Sequence, residues 1–188
     1  MAKRIYSILL LGPLFLAACG NAEEPAAQTA PATEQQQASS PAPAAEPELK
    51  REDYMLHYEV TSSGFDSVVE FIKLAISDRG IKINNVSYIG NMLERTKEAV
   101  GATKTIYPEG QAQAIEFCSS TISRTTMEAD PHNIVFCPYV ILVYTIPEQP
   151  EVVHVSYRRP TLVGDETSKA SLKAVEELVD GIIREAIQ

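Results

Sequence analysis

The chain has 188 residues, with 16 Lys and Arg against 25 Asp and Glu and a formal charge of −9. An acidic surface repels phosphate backbones, which excludes nucleic acid as its partner. The sequence holds no Gly-rich phosphate loop, no His-Glu-x-x-His and no Gly-x-Ser-x-Gly, so nothing in it supports catalysis by those routes.

Lys3 and Arg4 precede an apolar run from Ile5 to Leu16, and Leu16-Ala17-Ala18-Cys19 closes it. The pattern resembles a bacterial lipobox, in which small residues precede a cysteine whose thiol receives lipid. Ile5 to Ala18 is 14 residues, interrupted by Gly12-Pro13, and falls short of the ~20 needed to cross a bilayer. Residues 1–18 are therefore expected to be a lipoprotein signal peptide, with Cys19 as the acylated (palmitate-bearing) mature N-terminus. Cleavage removes two basic residues and no acidic one, which leaves 14 against 25, near −11. Protein charge then gives no hold on anionic lipid, and the acyl chains supply the whole membrane contact. Gly20 stands where an aspartate would signal inner-membrane retention, so the resemblance implies the outer membrane, facing the periplasm. Residues 19–50 are almost entirely Ala, Pro, Gln, Glu, Ser and Thr. They cannot bury enough surface to offset ordering, and are expected to form a disordered tether reaching on the order of 30 Å r.m.s..

Residues 51–188 are the size of one domain. Tyr54, Leu56, Tyr58 and Val60 alternate as one face of a half-buried strand. Ser63, three residues before Asp66, reads as a capped helix start, and Phe65, Val68, Val69, Ile72 and Ile76 recur at helical spacing until Gly80. Ile81 and Ile83 restart a two-residue period that slips at Asn84-Asn85, as a bulge would make it do, before Val86 and Tyr88. Asn91 and Glu94 open a short helix that Gly101 ends. After a Pro108-Glu109-Gly110 loop, Ala114 to Cys118 is a strand, and Ser119 or Ser120 caps a short helix to about Glu128. Tyr139 to Ile146 is apolar on both faces and is expected at the sheet centre, covered on each side. Glu148-Gln149-Pro150 is predicted to turn the chain. Val153, Val155 and Tyr157 then point inward, opposite Val152, His154 and Ser156. Leu172, Val175, Leu178, Val179, Ile182 and Ile183 mark a long amphipathic C-terminal helix. The short last connection forces antiparallel pairing, so the fold class is α+β, an antiparallel sheet packed by helices.

Phe65-Asp66-Ser67-Val68-Val69-Glu70, Asp78-Arg79-Gly80-Ile81, Glu116-Phe117-Cys118, Ala129-Asp130-Pro131 and Cys137-Pro138 before an apolar strand form an arrangement over Tyr54–Gln188 that resembles the domain-of-unknown-function-302 family. The resemblance implies a compact α+β domain with an antiparallel sheet, often a homodimer. Cys118-Ser119-Ser120 departs from the family's usual Cys-Asn-Pro, and Phe136-Cys137-Pro138 from its usual Pro-Cys.

With Cys19 acylated, Cys118 and Cys137 remain in an oxidising compartment. Three readings stand open: a structural disulfide, two buried free thiols, or a functional thiol or ligand site. The third rests on Cys118 lying between strand and helix, where the helix N-terminus lowers a thiol's pKa and could serve redox chemistry, a soft metal or haem. No Cys-x-x-Cys or zinc spacing supports it. His57 and His154 fall on the polar faces of their strands and His132 follows a helix end, so all three read as solvated, although each could supply an axial nitrogen. Arg158 and Arg159 read as a charged strand edge, or as a pair for an anionic ligand. The expected function is a lipid-anchored periplasmic binding or accessory module. The alternatives are a thiol-redox or metal/haem-binding protein using Cys118 and Cys137, and a structural dimeric envelope lipoprotein.

Overall fold

The computed structural model describes residues 51–188, and the predicted signal peptide, Cys19 and the tether lie outside the described residues. A single helical turn, α1 (Arg51–Tyr54), leads into β1 (Met55–Val60). Tyr54 thus belongs to the turn and not to the predicted strand. Leu56, Tyr58 and Val60 do face the core. Helix α2 (Phe65–Asp78) buries Phe65, Val68, Val69, Ile72 and Ile76, the residues whose spacing marked it. Its start differs from the expected Ser63 cap: Gly64 holds the N-cap position with no side-chain bond. Gly80, at φ +69°, turns the chain out, a conformation that favours glycine.

Strand β2 (Ile83–Ser87) pairs with β3 (Ala112–Phe117), and the register slips between Ile83 and Asn85, at the predicted bulge. Between them α3 (Ile89–Thr96) begins two residues before Asn91, and its last turns run on to Gly101. A 3-10 turn over Pro108–Gly110 lies against α3. A Cβ on Gly90 would collide with the Gly110 carbonyl, so glycine at residue 90 is what permits this close approach. Helix α4 (Ser120–Ala129) is capped by the Ser119 hydroxyl, which accepts from the Ile122 N–H at 3.3 Å. A second 3-10 turn (Pro131–Phe136) follows, opened by Asp130 accepting from His132 N–H at 2.9 Å.

Strands β4 (Tyr139–Ile146) and β5 (Gln149–Arg158) form a hairpin. Pro147-Glu148 makes the turn, and Pro150 lies inside the strand instead of in the turn as predicted. Pairing of β1 with β5 begins only at Val153, so the N–H that Pro150 lacks takes no bond from that ladder. The sheet order is β1-β5-β4-β3-β2, antiparallel throughout. Helix α5 (Glu166–Ala186), capped by Asp165 accepting from Ser168 N–H at 2.8 Å, closes the domain.

Helices α2 and α5 cover one face of the sheet, where Ile115, Phe117, Ile141, Val143, Val153, Val155 and Tyr157 meet Ile72, Ile76, Leu172, Ile182 and Ile183. Each such side chain contributes ~1.5–3 kcal/mol by leaving water. The buttress at one edge is polar. Tyr58 donates to Asp180, whose other oxygen accepts from Arg184 Nε at 2.6 Å, and the Arg184 guanidinium lies over the Tyr58 ring.

The opposite face corrects the expectation that β4 is covered on both sides. Tyr139, Ile141, Val143 and Thr145 are buried, whereas Val140, Leu142, Tyr144 and Ile146 are only partly so. Their cover is α3, the second 3-10 turn and single side chains such as Tyr107, which packs edge-on to Tyr144. Among the described residues no helix is long and apolar enough to cross a membrane.

Candidate functional site

The antiparallel register pairs Phe117 of β3 with Tyr139 of β4. Cys118, just past β3, and Cys137, just before Pro138 and β4, are therefore delivered to the same point, and their Sγ atoms stand 2.8 Å apart. The Cys137-Pro138 peptide is cis. The Ser123 hydroxyl lies 3.8 Å from Cys137 Sγ and 3.0 Å from the Tyr139 hydroxyl. Both cysteines are free thiols, half-buried.

Their electrostatics run opposite to the sequence expectation. Burial and then the neighbouring Cys137 push the Cys118 thiol up to about 11, against a smaller opposing pull from the Tyr139 backbone N–H. The helix terminus does not offset this, because the Ser119 hydroxyl already occupies the α4 cap position and takes the Ile122 N–H. Burial thus holds the Cys118 thiol above its ordinary value, where the functional-thiol reading of the sequence had it lowered.

The histidines also differ from expectation, except for His132, which is exposed. His57 on β1 and His154 on β5 project from the same face of adjacent strands, since His57 pairs with Ser156 and His154 with Glu59. They stack with ring centroids 5.0 Å apart, Tyr144 stacks on His154 at 5.2 Å, and Tyr144 also lies 6.4 Å from His57, so the three rings form a triangle. His154 is only 3% exposed and Ser156 1%. This is an organised aromatic and imidazole cluster, not a solvated polar face. His57 Nδ1 lies 2.9 Å from Ser156 Oγ, and His57 Nε2 lies 3.2 Å from His154 Nδ1. Burial, and then His57, push the His154 imidazole below its ordinary pKa, against a smaller opposing effect of Glu59. Sequence alternation put both residues on outward positions, but which strand neighbours which is not written in it.

A cleft of ≈ 530 Å³ opens where β4–β5 pairing ends at Leu142–Ser156. Ala114, Val140 and Leu142 contribute from the outer face, Pro138 and Pro160 from the strand ends, and Val179 from α5. Arg158 and Arg159 stand at its border and part company. Arg159 grips Glu176 with two bonds, 2.8 and 3.2 Å, and donates to the Glu52 carbonyl. The Arg158 side chain is exposed, and its guanidinium has no hydrogen-bond or ion-pair partner among the described residues. Nearby carboxylates are held by local partners: Glu116 accepts from Ser87 and Asn85, and Glu128 from Arg124.

The model of the family described as "Domain of unknown function DUF302" matches residues 58–186. The chain belongs to the DUF302 family. The matched stretch takes in both cysteines, the cleft and His154, and begins one residue after His57. A crystal structure of a conserved DUF302 protein from Bacillus stearothermophilus is similar in fold, with a TM-score of 0.58 at 15% identity over 70% of this chain and 97% of that one. At that identity the likeness shows the shared DUF302 fold alone. No curated protein matches the chain significantly.

Proposed function

We propose that this DUF302 protein is a lipid-anchored periplasmic binding module, tethered through acylated Cys19 to the outer membrane, and that it takes a small apolar ligand bearing an anionic group in the cleft at the β4–β5 strand ends. The cleft carries this reading. Its ≈ 530 Å³ falls within the ~300–1,000 Å³ of small-molecule sites, which are mostly apolar with a few placed polar groups. The Arg158 guanidinium supplies a border cation with no partner among the described residues, while Arg159 is committed to Glu176. The protonated Cys118 thiol favours a structural role for the cysteine pair over nucleophilic chemistry.

Two measurements test the two halves. Alkyne-palmitate fed to cells should label the wild-type protein and not Cys19→Ala; equal labelling rejects the anchor. The acyl-free mature chain should bind 8-anilinonaphthalene-1-sulfonate, an anionic apolar probe, at one site. Leu142→Trp should abolish this by filling the cleft, and Arg158→Gln should weaken it. Binding indifferent to both substitutions, or absent, rejects the cleft.

A further inference from the structure

We propose that His57, Glu59 and His154 form a mononuclear site for a divalent transition-metal ion of the zinc class, on the sheet face opposite α2 and α5. One nitrogen of each histidine and a Glu59 oxygen lie within 4.8 Å of one another. His57 Nε2 stands 3.2 Å from His154 Nδ1 and 3.7 Å from Glu59 Oε1. A tetrahedral ion with metal–ligand bonds of ~2.0–2.1 Å holds its ligands ~3.3–3.4 Å apart. The two measured spacings bracket that value, and the third pair, His154 and Glu59, lies within 4.8 Å, so the exposed Glu59 carboxylate closes the site by a side-chain rotation. Two imidazoles and a carboxylate are the donor set of zinc sites that keep a fourth position open to water.

The surroundings suit this role. Ser156 Oγ engages Nδ1 of His57 and leaves Nε2 turned toward His154 Nδ1 and Glu59, as the outer partners of metal-bound histidines do. Tyr144 stacks on His154 and fixes its ring, and the Tyr144 hydroxyl lies 3.4 Å from Ser156 Oγ. His154 is buried and its Nε2 has no hydrogen-bond partner. With Nδ1 on the metal the ring's one proton moves to Nε2, so binding needs a change of tautomer and no loss of charge. The route in is open, because the Glu59 side chain is 57% exposed and that of His57 25%.

Calorimetric titration of Zn²⁺ into the full mature lipoprotein, tag-free in detergent, reads the proposal. One ion per chain is expected. His57→Gln and Glu59→Gln, both at partly open positions, should each weaken binding by about tenfold or more, with circular dichroism and metal-free melting unchanged. The Cys118→Ser/Cys137→Ser double variant should bind as the wild type does. Co²⁺ should give tetrahedral d–d bands without thiolate charge transfer. Absence of stoichiometric binding, binding unaffected in His57→Gln and Glu59→Gln, or loss of binding in the double serine variant would each overturn the site.

Discussion

The cysteine pair offers a stability prediction whose size follows from the chain path. Cys118 and Cys137 lie 19 positions apart, and the Phe117–Tyr139 pairing holds the two ends of that segment together. A bond between them closes a loop of about 20 residues. In the chain-entropy account this removes ~11 cal/mol/K from the unfolded chain, about 3 kcal/mol at 25 °C. With an unfolding entropy of ~2.1 cal/mol/K per residue, the described domain should gain roughly 10 °C in melting temperature. The assay is differential scanning calorimetry of the protein oxidised with diamide, the same protein kept in a reducing phosphine, and Cys118→Ser/Cys137→Ser. The oxidised form should melt about 10 °C above the reduced one, and oxidant should leave the double variant unmoved. Failure of the bond to form in the folded protein, shown by two alkylatable thiols after oxidation, would refute the reasoning. So would a linked form melting no higher than the reduced one.

Three further outcomes are expected. Iodoacetamide should modify Cys118 in the reduced, folded protein slowly at pH 7 and faster as pH rises toward its pKa of about 11; rapid modification below neutrality would contradict the burial argument. Burial by itself would raise the Asp180 carboxyl, but the bonds from Tyr58 and Arg184 outweigh it and hold the carboxyl below its ordinary value, while burial and then Asp180 push Tyr58 up to about 12. The Asp180 contribution is therefore complete above its unfolded pKa and lost as pH falls through the folded one, and the Tyr58 contribution is lost as pH rises from 10 to about 12; urea melts across pH should show both limbs flattened in Asp180→Asn and the alkaline one in Tyr58→Phe. Gly90→Ala drives a methyl into the Gly110 carbonyl and should cost ~1–3 kcal/mol, read as a lower urea midpoint, with the fastest hydrogen exchange confined to α3 and the Pro108–Gly110 turn.

The core was legible because burial imposes a period. Phe65, Val68, Val69, Ile72 and Ile76 could share one helical face only as they do, and the slip at Asn84-Asn85 had to break a ladder somewhere. Helix starts were harder to read. The Ser63 signal lost to Gly64, and α3 began at Ile89 ahead of Asn91, because a cap contributes only ~1 kcal/mol and yields to the packing of the whole segment. Among the candidate site residues, both cysteines could be named in advance, but the direction of the Cys118 shift could not. It depends on burial and on a second thiol brought up from 19 positions away.

Local pattern thus determined the elements, the α+β class and the family, since each is set by neighbours a few residues apart along the chain. Tertiary structure alone decided which strand lies beside which. That choice put His57 next to His154 across 97 residues, turned two apparently solvated imidazoles into a half-buried cluster, and opened the cleft where β4 and β5 stop pairing. Strand order is fixed by the summed packing of every element against one core, a quantity that no local stretch of sequence contains.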